Sequence, residues 1–386
     1  MDGYAVRAGD TMGASDAAPL RLEVLGEVPA GGVAERGVES GAAIRIATGA
    51  PIPPDADAVV PVEETTPLDP GGEAGPRGRD AGGPVPAAIL VHTPVTPGGS
   101  VRRRGSDLHA DAEILAAGTR LRPAGVALAA GAGVSELVVR RRPRVAVLAT
   151  GDEIRGAGQA LGPAGIPDAN GPGLRALAAA NGAEPIDLGI ARDRLDDVLT
   201  RLRRGIAEAD LVIVSGGVSV GPYDVVRTAF DALGHVELWR VAVQPGKPFA
   251  FGLASAPDGR QVPLFGLPGN PVSSFVTFEL FVRPALAALA GLTEPLRAVD
   301  RGVLTERVTK SRGRRAFLRV TAARSNDGQA ARDASGRVQV QLAGGAGGQG
   351  SHVMSALASA EALAIVPEEG DSRPAGTEVE LWWLDR

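Results

Sequence analysis

The chain has 386 residues, more than one hydrophobic core usually organises, so about two to four domains are expected. Apolar residues make up 44% and charged residues 22%, which is typical of a folded protein. The net charge of -5, without a long Lys/Arg run, argues against nucleic-acid or anionic-membrane partners. The absence of cysteine excludes disulfides, thiolate zinc sites and a cysteine nucleophile.

Neither the histidines nor the apolar runs indicate a metal site or a membrane span. The four histidines lie far apart in sequence, without the short spacings of metal-binding motifs. No apolar run approaches about 20 residues, and the first residues are polar rather than signal-like. A cytoplasmic location is therefore expected.

The first part of the chain reads as a small β domain. Short β-like stretches at 21–25, 43–46, 58–61 and 89–92 alternate with Gly/Pro turns. We expect this domain to cover 1–100, with a flexible excursion at 67–88 where large apolar residues are few. A helical linking segment is expected at 101–142, because 121–134 is Ala-rich and apolar and Pro123 suits a first helical turn.

From residue 143 the pattern becomes an alternation of strand, turn and helix, which indicates α/β architecture over 143–295. Strands are predicted at 144–148, 185–188, 211–214 and 262–265, and helices at 174–181, 195–207 and 225–233, followed by a long apolar helix ending at Gly291. Near-continuous apolar strands predict a parallel sheet covered on both faces. The β pattern returns over 296–386, which suggests a small terminal barrel.

Acidic residues follow three of the predicted parallel strands: Glu153, Asp193 and Asp224. Ligands of such sheets bind beyond the carboxyl ends of the strands, so the three carboxylates are expected at one edge. Taken singly, each is more simply a solvated turn residue or a helix cap. Together they predict a Mg²⁺ site, because Mg²⁺ takes one or two carboxylates and completes its shell with water and phosphate oxygens.

Two small-residue turns are candidate anion sites. The loop from Ser215 to Gly221 offers exposed amides, and the turn at 266–271 places Asn270 at an N-cap and Pro271 at the first helical position. Lys247 lies in the turn 243–248, where its charge could neutralise an oxyanion. The simpler alternative is two capped helices and a surface lysine.

Two further patterns carry no function. The stretch 217–221 satisfies G-x-S-x-G, but no histidine motif supports a serine hydrolase. The stretch 345–350 satisfies G-x-G-x-x-G, but it lies inside a β pattern rather than between a strand and a helix.

Read in order, the motifs DGYA, IRIATGAPIPPDADAVVPVEE, GSDL, TGDE, SGGVSVGPYD, QPGKPFAFG and GLPGNPVSS resemble the molybdopterin molybdenumtransferase family, which includes the gephyrin E domain. The resemblance spans nearly the whole chain. It implies a β domain, a linking helical part, a pterin-binding α/β domain and a terminal barrel. It also implies a homodimer that takes adenylylated molybdopterin and molybdate, hydrolyses the adenylate with Mg²⁺ and releases molybdenum cofactor and AMP.

The resemblance implies roles for individual residues. Asp2 and Thr48 would face a cleft completed by the partner subunit, and Glu153, Asp193 and Asp224 would form the group that holds Mg²⁺ and phosphate. The pterin nucleotide would be held by the two loops, through Ser215, Gly216, Gly217, Ser219, Gly221, Gly269, Asn270 and Pro271. The molybdate pocket would comprise Lys247, Pro248, Ser273, Arg319 and Ser351.

Two departures from the family pattern stand out. Gln244 occupies a position where the family commonly has lysine, which removes one positive charge from the anion pocket. The family also has a segment before the DGYA motif, so part of the helical, dimer-forming domain is expected to be missing. Alternatives are a pyrophosphatase related to competence-damage proteins and a non-catalytic pterin-binding or scaffold protein. An upstream molybdopterin adenylyltransferase is a possible partner.

Overall fold

The computed structural model describes residues 2–78, 83–217 and 225–384. The chain divides into two compact units, Met1–Ile114 and Leu115–Arg386.

The first unit is built on one mixed six-stranded sheet with the order β4-β1-β3-β2-β6-β5. Its strands are β1 Gly3–Val6, β2 Leu20–Val28, β3 Ala42–Ile46, β4 Ala58–Pro61, β5 Thr65–Leu68 and β6 Ala88–Val91. Short 3-10 helices lie at Ala8–Thr11 and Val62–Glu64. The four predicted strands are confirmed. The excursion at 67–88 is less free than predicted, because β5 includes Leu68, which also pairs with Ala74.

The second unit begins with the linking segment and an α/β sheet. Helix α1 spans Pro123–Gly131 and is the one regular element between 101 and 142, all of which the structure describes. The helices and strands that follow are β7 Arg144–Thr150, β8 Ile154–Arg155, β9 Ile166–Pro167, α2 Asn170–Ala180, β10 Glu184–Ala191, α3 Leu195–Glu208, β11 Leu211–Ser215, α4 Val225–Leu233, β12 Gly234–Arg240, β13 Val243–Gln244, β14 Pro248–Ser255 and β15 Gln261–Leu267.

The main sheet of this unit has the order β10-β7-β11-β15-β14-β12. Strands β10, β7, β11 and β15 are parallel, as predicted. The antiparallel strands β14 and β12 were not predicted, and they make the sheet mixed. The carboxyl ends of the parallel strands meet at one edge, where Ser215 lies in register with Leu267 on one side and Ala149 on the other.

Apolar residues cover both faces of this sheet, as the continuous apolar strands predicted. On one face, Val198 and Leu202 of α3 and Phe230 of α4 pack against the strands. On the other face, Leu174 of α2 belongs to the second core cluster. The helices are amphipathic because their buried residues recur at intervals of three to four positions.

The long apolar helix is composed of α5 Pro271–Thr277, a π-helical turn Phe278–Val282 and α6 Arg283–Leu289. By length and composition, Pro271–Leu289 could cross a membrane, but 56% of its apolar window is buried in the unit. Glu279 in the π-helical turn is 1% exposed, and Arg297 Nε lies 2.8 Å from its Oε2. The stretch therefore contains a buried charge pair within the core.

The predicted terminal barrel is confirmed. Its elements are β16 Asp300–Leu304, β17 Val308–Thr309, β18 Arg315–Ala322, β19 Val338–Leu342, α7 Met354–Ala358, β20 Ala362–Val366, β21 Ser372–Arg373 and β22 Glu378–Trp383, with a 3-10 helix at Ala346–Gln349. Strands β18, β19, β16, β22 and β20 close on themselves through the pairing of β18 with β20. The short strand β13 adds to β18 in parallel.

Candidate active site

A cleft of about 440 Å³ opens at the carboxyl ends of the parallel strands in the second unit. Its lining combines carboxylates, hydroxyls, amides and glycines. Of the residues predicted from sequence, it contains Glu153, Asp193, Ser215, Gly216, Gly217, Pro248, Gly269, Asn270 and Ser273. The volume is within the range of small-molecule pockets.

The turn after β11 requires its two glycines. Gly216 and Gly217 have φ values of 93° and 64°, which side-chain-bearing residues rarely adopt. A Cβ on Gly216 would lie 2.6 Å from the carbonyl oxygen of Thr150, and one on Gly217 would lie 2.4 Å from Val226 Cγ2. The chain therefore turns sharply at the end of β11. Ser219, Gly221 and Asp224, which follow in the same predicted loop, lie outside the described residues.

Asn170 connects two walls of the cleft and was not identified from the sequence. Its Nδ2 donates one hydrogen bond to Ser215 Oγ and one to the carbonyl of Gly269, both 2.7 Å long. Asp168, also in the lining, accepts a 2.8 Å bond from the amide of Gly171 at the start of α2. The sequence signal was an asparagine two positions before Pro172. This is similar to the Asn-Pro pair at 270–271, but α2 was predicted to start four residues too late.

Asp193, which lines the cleft, lies beside Asp152 of the turn after β7. The amide of Asp152 donates to Asp193 Oδ2 at 3.3 Å, and the amide of Asp193 donates to Asp152 Oδ1 at 3.4 Å. Partial burial, together with the charges of Asp152 and Glu153, raises the pKa of Asp193. The hydrogen bond that the backbone amide of Asp152 donates to its carboxylate acts in the opposite direction. The described residues contain no group of three or more acidic or histidine side chains arranged to hold a metal ion. The predicted third carboxylate, Asp224, is outside them.

The GLPGNP turn forms another wall of the cleft and contacts the loop after β19. Asn270 and Pro271 occupy the predicted N-cap and first position of α5, but the Asn270 side chain makes no capping bond. Its Nδ2 instead donates to Ser351 Oγ at 3.0 Å, and the carbonyl of Ser351 accepts a 3.2 Å bond from Val272. The predicted N-cap position of Asn270 is confirmed, but its side chain does not make the capping hydrogen bond. The asparagine joins α5 to the loop that carries Ser351.

Arg319 of β18 lies beneath that loop. It is 1% exposed, and its Nη2 donates to the carbonyls of Gly348 at 2.7 Å and Gly350 at 3.1 Å. Its buried Nε has no hydrogen-bond partner among the described residues. Burial lowers the pKa of Arg319 to about 10, so the guanidinium is charged at neutral pH. No carboxylate of the described chain pairs with it.

The turn before β14 is arranged differently from the anion pocket that the resemblance implies. Pro248 lines the cleft, whereas Lys247 is exposed and is not part of the lining. Gln244 Oε1 accepts a 2.7 Å hydrogen bond from the amide of Ser311 in the barrel. At the neighbouring position, the ammonium of Lys310 donates to three backbone carbonyls.

Asp2 and Thr48 contact each other within the first unit. The amide and hydroxyl of Thr48 donate to Asp2 Oδ1 at 2.8 and 2.9 Å. These two bonds lower the pKa of Asp2, with the backbone amide as the main cause. The carboxylate of Asp2 is therefore ionised and oriented by Thr48 on the surface of its own unit.

Comparisons with known proteins match all parts of this chain. The family model for a probable molybdopterin binding domain matches residues 146–288. The models for the MoeA N-terminal region (domain I and II) and the MoeA C-terminal region (domain IV) match 1–133 and 301–384.

Similar proteins cover the chain from end to end. Molybdopterin molybdenumtransferase 2 of Mycobacterium tuberculosis is 37% identical over 100% of this chain and 87% of its own length. The Haemophilus influenzae molybdopterin molybdenumtransferase is 33% identical over 99% of this chain and 85% of its own. The crystal structure of the molybdopterin biosynthesis MoeA protein from Pyrococcus horikoshii OT3 has a TM-score of 0.73 at 27% identity, covering 100% of this chain and 86% of that one. The chain therefore belongs to the molybdopterin molybdenumtransferase family.

Proposed function

We propose that this chain is a transferase that inserts molybdenum into molybdopterin, taking the adenylylated form and releasing molybdenum cofactor and AMP. Family membership supports the transferase and the pterin substrate. The observation that carries the finer proposal is the cleft itself. Carboxylates suited to a divalent cation line it. The cleft residue Asn270 donates to Ser351, and the carbonyl of the preceding Gly350 accepts from Arg319, whose buried positive charge has no carboxylate partner among the described residues.

Mg²⁺ fits the donor set of the cleft. Glu153 and Asp193 line the same cavity, and the pKa of Asp193 is raised, by burial first and then by the charges of Asp152 and Glu153. Mg²⁺ commonly uses one or two carboxylates and fills the rest of its shell with water and phosphate oxygens. In this proposal Glu153, Asp193 and Asp224 hold the ion. Bound there, it would neutralise charge that develops on the phosphoanhydride.

The protein residues position the pterin nucleotide. The amide of Gly217 is a small-residue donor that suits a phosphate oxygen, whereas the amide of Gly216 donates to the carbonyl of Leu267 at 3.1 Å. Asn170 donates to the Ser215 hydroxyl and to the Gly269 carbonyl, and it thereby links the loop after β11 to the turn before α5. Ser219, Gly221 and Pro271 complete the proposed nucleotide-binding set. Rigid placement of this kind favours hydrolysis because little reorientation is left for the reacting groups.

Molybdate would bind beside Pro248, Ser273 and Ser351, with charge supplied by Lys247 and Arg319. Hydroxyls and cations are suitable partners for this dianion. Arg319 supports the assignment because its buried guanidinium has an unpartnered Nε and lies next to the Gly350–Ser351 peptide. A buried positive charge without a counter-ion is costly, and an anion would relieve that cost.

We further propose a cytoplasmic homodimer in which the linking segment 101–142 contributes to the interface. Asp2 and Thr48 would then face the partner's cleft. Their mutual hydrogen bonds support a joint role, because they hold an ionised carboxylate in one orientation. A molybdopterin adenylyltransferase would supply the substrate. The domain division 1–100, 101–142, 143–295 and 296–386 belongs to this proposal.

The test is AMP release from adenylylated molybdopterin by the full chain, with and without molybdate and Mg²⁺. The proposal expects AMP release that requires Mg²⁺ and yields molybdenum-loaded pterin. A scaffold protein would release no AMP. A pyrophosphatase of the competence-damage type would release AMP without loading molybdenum, and either result would reject the proposed reaction.

A further inference from the structure

The connection between β17 and β18 carries four cations in six residues. Residues 310–315 read KSRGRR and are called the basic loop; they run from the end of β17 to the first residue of β18. The amide of Ser311 in this loop donates to Gln244 Oε1 at 2.7 Å. The basic loop therefore adjoins the turn that leads into the cleft through Pro248.

The lysine of the basic loop holds the shape of the loop. Lys310 is 8% exposed, and its ammonium donates to three backbone carbonyls, those of Ser311, Arg314 and Glu368, at 3.3, 3.0 and 2.8 Å. The amide of Gly313, whose φ is 74°, also donates to the Glu368 carbonyl, at 3.1 Å. Hydrogen bonds from a charged group are costly to break when the group is buried. These contacts make the basic loop a rigid extension of the barrel.

The three arginines of the basic loop differ in their contacts. Arg315 forms an ion pair with Glu368, with its Nε 3.1 Å from Oε1. Arg312 is exposed and Arg314 is half-buried, and neither side chain forms an ion pair or a hydrogen bond with any residue in the described part of the chain. Two guanidinium groups without a counter-charge thus lie on a rigid loop that contacts the turn before β14.

The turn that the basic loop contacts carries little positive charge at its surface. Position 244 is a neutral glutamine, and Lys247 is the one lysine or arginine among residues 243–248. Arg319, the other cation of the proposed molybdate pocket, is 1% exposed. The chain also has a net charge of -5, which repels a free dianion. Cations beside the pocket therefore matter for the approach of the anion.

We infer that Arg312 and Arg314 form a capture site for tetrahedral dianions at the edge of the molybdate pocket. This inference rests on the proposed function, which identifies the dianion as molybdate. A guanidinium group suits the role because it binds an oxyanion through two parallel hydrogen bonds and stays charged at neutral pH. The two arginines raise the local concentration of molybdate beside Lys247, from which the anion passes to Arg319. They thereby supply the positive charge that Gln244 does not carry.

Titration calorimetry of the full chain with molybdate tests the inference at two salt concentrations. Between about 0.01 M and about 1 M salt the screening length falls from about 30 to about 3 Å. The double variant Arg312→Gln/Arg314→Gln should bind molybdate at least about fivefold more weakly at low salt, because a basic patch concentrates small anions most when it is unscreened. At high salt its affinity should be within about twofold of the wild type.

The matched control is Arg203→Gln/Arg204→Gln. It removes the same number of positive charges from exposed positions of α3 and should stay within about twofold of the wild type at both salt concentrations. The single variant Arg312→Gln, at an exposed position where folding is not at risk, should show part of the loss. Circular dichroism establishes that each variant is folded.

A rescue experiment asks whether the lost charge can be replaced. Gln244→Lys, added to the double variant, should recover affinity at low salt because it places a cation in the turn that the basic loop contacts. Three results would overturn the inference: unchanged molybdate affinity in the double variant, equal losses in the double variant and the control, or a loss that is as large at high salt as at low salt.

Steady-state kinetics separate this inference from the proposed function. The double variant should raise the KM for molybdate more than it lowers kcat for molybdenum loading. Molybdenum loading with a KM for molybdate that does not depend on Arg312 and Arg314 would reject the capture site and leave the reaction in place. Salt-sensitive, arginine-dependent molybdate binding by a chain that never releases AMP from adenylylated molybdopterin would reject the reaction and leave the capture site in place.

Discussion

Asn170 Nδ2 donates a 2.7 Å hydrogen bond to Ser215 Oγ and thereby ties the start of α2 to the end of β11. The same amide group also reaches Gly269 in the opposite wall of the cleft. One side chain thus contacts both loops that the proposed function requires to act together, in addition to the backbone pairing of β11 with β15. It links three segments that are far apart in sequence.

Replacing Asn170 with alanine should lower AMP release by about tenfold or more while changing the melting temperature little. The reason is that two polar contacts are lost at a partly exposed site, and small displacements of positioning groups strongly affect rate. The control is Asn181→Ala at the other end of α2, where the side chain donates to the Leu177 carbonyl of its own helix at 2.8 Å. Equal loss of activity in both variants would show that helix stability, not cleft spacing, is responsible.

Asp193→Asn should stabilise the Mg²⁺-free chain at neutral pH. The folded state raises the pKa of Asp193, so ionised Asp193 disfavours folding above that pKa, and the penalty disappears as pH falls below the unfolded value. The melting temperatures of variant and wild type should therefore converge in acid. Mg²⁺ should raise the melting temperature of the wild type more than that of the variant. A variant less stable than wild type at pH 7 without Mg²⁺ would contradict this account.

Gln244→Lys should tighten molybdate binding by about 1 kcal/mol or more, the scale of one added charge-assisted contact. It should also lower the free energy of unfolding by about 1 kcal/mol, because the hydrogen bond from Ser311 to Gln244 is lost. Gln244→Met is the control, which should lose the stability without the gain in affinity. Calorimetry and urea unfolding measure the two quantities, and equal molybdate affinities in both variants would reject a role for charge at this position.

Arg319→Met should abolish measurable molybdate binding, whereas Arg319→Lys should retain part of it. Methionine removes the buried charge, while lysine preserves the charge but lacks the planar group that reaches both loop carbonyls. Circular dichroism establishes whether each variant folds. A folded Arg319→Met chain with wild-type molybdate affinity would show that Arg319 only supports the loop.

Arg297→Ala should lower the free energy of unfolding by about 3 kcal/mol, because it leaves the buried carboxylate of Glu279 with only Arg283 nearby. Arg297 also donates to the carbonyls of Trp383 and Leu384 at the end of β22. The control is Arg301→Ala, which breaks the exposed pair with Glu378 and should cost less than about 1 kcal/mol. Urea unfolding of the full chain compares the two; similar losses would contradict the assignment.

The sequence predicted those parts of the fold that follow from local periodicity. The parallel strands, α3, α4 and the closed barrel were predicted because apolar residues recur with strand or helix spacing. The start of α2 was missed because Gly171, Pro172 and Gly173 are poor helix formers, so packing and the Asp168 bond decide it. Strands β12 and β14 were missed although each pairs with a strand close by in sequence, and although the Asp258-Gly259 pair between β14 and β15 is a hairpin signal.

The site was predictable where a motif places a residue at a strand end. Glu153 and Asp193 share the cleft because β7 and β10 are parallel neighbours, which the alternation of strand and helix implies. The contacts of Asn170 and the burial of Arg319 could not be predicted, since both depend on loops brought together from distant parts of the chain. The N-cap position of Asn270 was predictable, but the hydrogen bond of its side chain to Ser351 was not.

The pairing of β13 with β18 attaches the turn before β14 to the terminal barrel. Val243 pairs with Arg315 and Gln244 pairs with Ala316 through the backbone, on the strand that also carries Arg319. Pro248, which lines the cleft, follows this turn directly. A hinge motion between the barrel and the turn would have to break these backbone pairs, so we expect the barrel and this edge of the cleft to move together.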